Sequence, residues 1–410
     1  MRDRSQRVKN IISRIDELAS ISEDGSGITR RYGTAAAVEA GKKVLGWMVK
    51  AGLTARVDAI GNVRGVWRGD GVAGAPAKTL VIASHIDTVV NAGRWDGPLG
   101  VVMGLDLVEN IIRNGVRLPF DIELIAFCDE EGVRFHTTFL GSKVVAGSFE
   151  PEMLERRDEN GVSLLEAMGG DASALEGERI APERWLGYFE IHIEQGPVLY
   201  ERKIPVAPVK AIAGQVRAEV IFKGMAGHAG TVPMEMRQDA LCGAAEFVLE
   251  VEKLAGEAVT GLVATVGKLQ VKGSASNVIP GEVACSLDIR CAGEEVVSKG
   301  HEQLRALCLE IGLRRGLVVD WNVVQVSSPV SCDSRMKDLL SSCIRAEGYE
   351  VLELVSGAGH DAVPVSAVSP VCMLFVRCFK GISHNPLEDV EEKDLEAALA
   401  VAEKFIQSIV

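Results

Sequence analysis

The chain has 410 residues, 47% hydrophobic and 25% charged, with a formal net charge of −13. That length exceeds what one hydrophobic core normally spans, so two domains are expected in a protein of ordinary soluble composition. The acidic balance excludes nucleic acid or an anionic membrane as a main partner, since little basic surface is available to displace counterions, while leaving room for a local basic pocket that takes a small substrate.

Residues Met1–Arg7 lead into no apolar signal segment and no run approaches membrane-spanning length, so a cytoplasmic location without an export signal is expected. Val8, Ile11, Ile12, Ile15 and Leu18 recur at helical spacing over 6–19, and a second helix fits 35–51. A strand-like stretch follows from Thr54 to Trp67, with a small turn at Ala73–Ala77. The continuous apolar run Thr79–Ser84 reads as a strand buried on both faces. A helix at 99–114 and a second buried strand from Phe120 to Cys128 complete a strand–helix–strand alternation, which indicates an α/β sheet with crossover helices.

The middle of the chain has a different rhythm. Strands are expected at 215–223, 262–271, 283–289 and 318–326, with helices at 239–255 and 294–315. This βαββαβ order is ferredoxin-like. The α/β pattern resumes with a helix at 334–346, strands at 351–355 and 371–376, and a helix at 391–408. The fold class expected is therefore α/β: a discontinuous catalytic domain with a mixed sheet, 1–210 and 328–410, carrying an inserted domain at 211–327. The nine cysteines are odd in number, form no CxxC pair and lie mostly in apolar runs, as small buried side chains in a reducing compartment would.

Five segments carry candidate chemistry. Ser84-His85-Ile86-Asp87-Thr88 puts a histidine at the end of a buried strand, where open α/β sheets place their ligands, with Asp87 near enough to hold its second ring nitrogen. Asp96 lies between Gly93 and Gly97. Asp129-Glu130-Glu131 ends another buried strand, and repulsion among three acids calls for a cation or solvent. If the strand alternation continues, one glutamate binds a metal and its neighbour stays free as a base. The same alternation places Glu190, His192 and Glu194 on one face of a strand, with Ile191 and Ile193 on the other. His384 sits in the Gly381–Pro386 loop. Singly these have bland readings: a core histidine, a turn aspartate, a solvated strand end. Jointly they supply three histidines and three acids, suited to two ions of Zn²⁺, Mn²⁺ or Co²⁺ type, with Asp96 as the bridging carboxylate.

With these residues the chain resembles the M20-type dinuclear amidohydrolases, in the branch of allantoate amidohydrolases and N-carbamoyl-L-amino acid hydrolases. The resemblance spans nearly the whole chain and rests on seven ordered motifs: Ser84–Thr88, Asp129–Phe135, His192–Gly196, Gly227–Met234, Ser276–Gly281, Ser356–Ala362 and Ile382–Asn385. Wording at 134–142, 185–188, 234–239 and 374–378 is most similar to allantoate amidohydrolases. The resemblance implies that His85, Asp96, Glu131, His192 and His384 are metal ligands and that Glu130 is the general base. It implies that the inserted domain is a lid and homodimerisation domain whose His228 reaches a partner's active site and stabilises the oxyanion. Gln195, Gln215, His228, Asn277, Arg290 and Gly359 become substrate-binding positions for a small ureido acid. Arginine offers a planar fork for its carboxylate, and the amides offer donors and acceptors for its ureido group. Peptidases of the wider family commonly carry an acid where His192 stands, which disfavours an aminopeptidase. A non-catalytic metal-binding scaffold is the reading from another class, and Glu130 with a complete ligand set counts against it.

Overall fold

The computed structural model describes every residue except 1–3, Ser26, 72–76, Val259, Ser274 and Val410, so the turn expected at Ala73–Ala77 lies outside the described residues apart from Ala77. The chain divides into two compact units. Unit 1 comprises Met1–Lys210, Cys332–Leu354 and Ala358–Val410; unit 2 comprises Ala211–Ser331 and Val355–Gly357. Among the described residues no helix is long and apolar enough to cross a membrane.

Unit 1 opens with α1 (Arg4–Ala19), which buries Val8, Ile11, Ile15 and Leu18 along one face. In α2 (Ala35–Ala51) the Thr34 hydroxyl caps the first turn by accepting from the Ala37 N–H, and Gly52 at φ 95° ends the last. The stretch Thr54–Trp67 is a hairpin and not one strand: β1 (Thr54–Val57) pairs antiparallel with β2 (Val63–Trp67). Asp58 makes the turn, accepting from the backbone N–H groups of Ile60, Gly61 and Asn62. β3 (Thr79–His85) and β4 (Asp121–Phe127) are buried along their whole lengths, with α3 (Pro98–Asn114) between them in the chain. α4 (Leu140–Ala146), β5 (Trp185–Ile193) and β6 (Val206–Ile212) follow.

Unit 2 runs β7 (Gly214–Lys223), α5 (Ala240–Glu257), β8 (Val263–Thr265), β9 (Leu269–Lys272), β10 (Glu282–Cys291), α6 (Glu294–Arg315) and β11 (Val318–Ser327). The strand expected over 262–271 is therefore broken in two. The sheet order is β9-β10-β7-β11, with β8 also on β10, and every pairing is antiparallel. Burial alternates strictly along β10. Val283, Cys285, Leu287 and Ile289 join the core that also takes Phe247 of α5 and Leu304 of α6. Asp288 and Arg290 consequently lie on the other face, opposite Arg217 and Gln215 of β7 in register.

The chain completes unit 1 with α7 (Ser334–Ala346), β12 (Val371–Val376) and α8 (Glu392–Ser408); the strand expected at 351–355 is Leu354–Ser356. Strands of the unit 1 sheet run in the order β1-β2-β4-β3-β5-β12-β6. β4, β3, β5 and β12 are mutually parallel, and β1, β2 and β6 are antiparallel additions at the sides. This mixed sheet positions the site. Parallel strands end at one common edge, so His85 at the end of β3, the acids after β4, His192 near the end of β5 and the loop after β12 gather there. Nine cysteines are unpaired; seven are buried, Cys128 is half-buried, and Cys242 departs from the expected burial by lying exposed on α5.

Candidate metal centre

Two imidazoles are held in a defined tautomer by main-chain carbonyls. His85 Nδ1 lies 3.1 Å from the Asp87 carbonyl oxygen and His192 Nδ1 lies 2.9 Å from that of Ile193. A carbonyl only accepts, so each Nδ1 carries the proton and each Nε2 presents a lone pair. Both lone pairs face the same carboxylate oxygen. Asp96 Oδ1 is 3.1 Å from His192 Nε2 and 3.8 Å from His85 Nε2. The 3.1 Å approach lacks hydrogen-bond geometry: both Asp96 Oδ1 and His192 Nε2 are buried and make no hydrogen bond. Buried polar atoms in folded proteins almost always have partners. Converging acceptors without a donor are what a cation relieves.

The other Asp96 oxygen serves a second group. Oδ2 lies 3.1 Å from His384 Nε2, which in turn is 3.4 Å from Glu131. Candidate ligand atoms of His85, Asp96 and His192 fall within 4.8 Å of one another, and so do those of Asp96, Glu131 and His384. Asp96 is common to both. This His/Asp/Glu cluster is capable of binding metal ions, and its donors fit borderline divalent cations.

The acidic turn departs from the expected alternation. β4 stops at Phe127, and Asp129 then takes φ 53°, which removes the turn from strand geometry. Glu130 and Glu131 do not point to opposite sides; both bring an oxygen within 4.8 Å of His85. Asp87 holds them there, its carboxylate accepting from the Glu130 and Glu131 N–H groups at 3.0 and 3.1 Å. It was expected to hold the His85 ring, but its nearer oxygen is 3.6 Å from Nδ1 and the main-chain carbonyl takes that part. Burial first, then the charges of Glu131, Asp361 and Asp87, push the Glu130 carboxyl well above its usual range against the opposing pull of His85. Burial and the Asp96 charge push Glu131 up to about 7.

Alternation holds for part of β5. Ile191 and Ile193 enter the core, while Glu190 and His192 share the other face. Glu194 does not join them. It lies beyond the strand end and accepts from the Val198 and Leu199 N–H groups, capping a short helix. Gln195, at φ 57°, turns its amide into the centre and donates to Asp96 Oδ2 at 2.9 Å. His384 has φ 54°. Three non-glycine residues in left-handed backbone at one site are a strain signature of functional loops. Gly97, at φ 82°, packs so tightly that a Cβ there would lie 2.5 Å from the His85 ring. A Cβ on Gly359 would lie 2.6 Å from the Phe139 ring, so that glycine also permits a close approach.

His360 and Asp361, part of the Ser356–Ala362 motif but given no role by the sequence, also lie here, as does Glu388, which the sequence did not single out. His360 packs edge-on against His192, ring centroids 4.5 Å apart, and groups with Glu190 and His192. Asp361 is fully buried, accepts from the Ser142 hydroxyl through Oδ1 and leaves Oδ2 without a hydrogen bond. Glu388, deeply buried, accepts from the backbone of Trp95 and Asp96. The remaining expected substrate residues, Gln215, His228, Asn277 and Arg290, lie in unit 2. There Asn277 O accepts from Ala229 N–H, in the turn that carries His228.

The profile of peptidase family M20/M25/M40 matches residues 81–408. The chain belongs to this family. Within the M20 group it is 38% identical to allantoate deiminase 2 of Glycine max, over 97% of this chain and 89% of that protein. It is 37% identical to an N-carbamoyl-L-amino acid amidohydrolase of Geobacillus stearothermophilus, over 93% of each. The crystal structure of an amidase of the hydantoinase/carbamoylase family from Burkholderia multivorans matches with a TM-score of 0.90 at 32% identity, over 98% of this chain and 97% of that one.

Proposed function

We propose that this M20 protein is a metal-dependent amidohydrolase that cleaves a non-peptide C–N bond, the ureido bond of a small carboxylate, with allantoate as its substrate. Ureidoglycine or ureidoglycolate, ammonia and carbon dioxide are the products. The observation that carries the reading is the position of Asp96, whose two oxygens each face a separate histidine-containing ligand group. His85, Asp96 and His192 hold one divalent ion, and Asp96, Glu131 and His384 hold another, of Zn²⁺, Mn²⁺ or Co²⁺ type. Ions held by these residues would supply Lewis acidity for the ureido carbonyl and for a water molecule at neutral pH.

The chain's own residues do the rest. Glu130, buried beside His85 and not needed as a ligand, takes the proton of the attacking water and returns it to the leaving nitrogen. His228 donates a hydrogen bond to the tetrahedral oxyanion. Arg290 takes the substrate carboxylate, and Gln195, Gln215, Asn277 and the Gly359 main chain take the ureido and amide groups. Unit 2 is the lid and homodimerisation domain in this reading. A cytoplasmic, reducing setting suits nine unpaired cysteines.

A second substrate, an N-carbamoyl-L-amino acid, is favoured by the Geobacillus relative, whose identity to this chain is nearly as high. The deciding experiment incubates metal-reconstituted protein with allantoate, ureidoglycolate and N-carbamoyl amino acids and follows ammonia. The highest kcat/KM with allantoate is expected; a preference for an N-carbamoyl amino acid selects the second reading, and no ammonia from any of them ends the proposal.

A further inference from the structure

We infer that Glu388 is a positioning residue that ties together the two loops carrying Asp96 and His384, and that it sets the affinity of the metal centre without touching a metal. The inference rests on the metal-centre reading above. Glu388 is 3% exposed. A carboxylate buried to that degree is costly unless donors surround it, and here they come from both loops. Oε1 accepts from the Trp95 N–H at 2.7 Å and the Asp96 N–H at 3.1 Å. Oε2 accepts from the Ser383 hydroxyl at 3.0 Å. The Glu388 N–H donates to Asn385 O at 3.0 Å, which closes the turn immediately after His384.

The geometry is directed at the ligands. Two donors on Oε1 fix the main chain of Asp96, so its carboxylate is presented from a backbone that cannot swing. Ser383 Oγ lies 3.0 Å from Glu388 Oε2 and 3.2 Å from Asp96 Oδ2. One hydroxyl proton serves one carboxylate at a time, so Ser383 couples the orientation of Asp96 to that of Glu388. Gly93 makes room for the arrangement: a Cβ there would lie 2.4 Å from the Glu388 Cβ. Glu388 belongs to none of the candidate ligand groups of the described residues. It acts on Asp96, not on an ion. Groups that orient ligands in this way typically change metal affinity 10- to 100-fold when removed.

The test titrates metal-free enzyme with Co²⁺ in competition with a chromophoric chelator and records the thermal midpoint of the same metal-free protein. Glu388→Ala is expected to lower Co²⁺ affinity roughly 10- to 100-fold while leaving the metal-free midpoint near that of the wild type. Glu388→Gln keeps an acceptor toward both amides and a donor toward Ser383, so it is expected to recover most of the affinity. Wild-type affinity in Glu388→Ala, whether or not its metal-free midpoint falls, overturns the inference and leaves Glu388 a staple of the fold. Should Glu388→Ala not fold, Glu388→Asp, with its carboxylate withdrawn by one methylene, is read by the same criteria. A wild-type chain that takes up no Co²⁺ overturns the metal-centre reading itself, and this inference with it.

Discussion

Asp288 holds the guanidinium of Arg290 with both carboxylate oxygens, at 2.9 Å to Nε and 3.0 Å to the second terminal nitrogen. The same carboxylate accepts from Gln215 at 2.7 Å and Arg217 at 3.0 Å. Arg290 is thereby fixed in orientation, and in the role proposed for it this lowers the entropy cost of binding a substrate carboxylate. Asp288→Asn is expected to raise KM for the preferred ureido acid by roughly tenfold, about 1.4 kcal/mol, with little change in kcat. Steady-state kinetics check this; a fall in KM would mean that Asp288 competes with substrate for the fork.

Glu130 is the residue whose loss should separate chemistry from metal binding. Glu130→Gln is expected to retain the metal content of the wild type and to lose about 10²- to 10⁴-fold in kcat, the usual contribution of a positioned acid–base group. Elemental analysis of the same preparation used for kinetics provides the control. Turnover near that of the wild type would remove Glu130 from the proton-transfer role.

Because Asp96 is common to both ligand groups and His384 to one, their substitutions should differ in stoichiometry. Asp96→Ala is expected to weaken the binding of both ions, and His384→Ala to spare the one held by His85 and His192. Metal-to-protein ratios after equilibration at a fixed free-metal concentration measure the difference. Equal losses in the two variants would argue against a bridging aspartate.

Away from the centre, Glu178 gives a pH signature. Burial alone would raise its pKa, but the Arg56 guanidinium, the Ala59 N–H and the charge of Arg64 bring it below the usual value. A depressed folded pKa stabilises the fold fully above the unfolded value of about 4.3, and the contribution disappears as pH falls through the folded value. Glu178→Gln should therefore melt below the wild type at pH 7, and the gap should close toward pH 3. A gap that stays constant between those pH values would refute the electrostatic account.

Much of this architecture was legible in the sequence because it follows from period and burial. The short apolar run at Thr79–Ser84 suits a buried strand and the spacing in α1 a helix with one apolar face, and the edge of a parallel sheet concentrates whatever follows its strands. Errors arose where a strand ended sooner than its pattern suggested. Alternation was carried past Phe127 onto Glu130 and Glu131, and past Ile193 onto Glu194. A positive φ at Asp129 and a helix start at Val198 redirected those side chains. Glu388 had no local signal at all, because two of its donors are main-chain amides nearly three hundred positions away.

The separation in sequence between Asp96 and His384 has a consequence for biosynthesis. A nascent chain extended through the whole of unit 2 already contains His85, Asp96, Glu131 and His192, but lacks both His384 and the Glu388 carboxylate that accepts from the Asp96 N–H. Unit 2 has a hydrophobic core of its own. If that core forms first, the long excursion between β6 and α7 is compact before His384 joins the site, and the loop to be closed is shorter in effect than the residue count implies. In the proposed ligand set the complete site therefore waits on the carboxyl-terminal part of unit 1, and high-affinity metal capture would report that this part has docked.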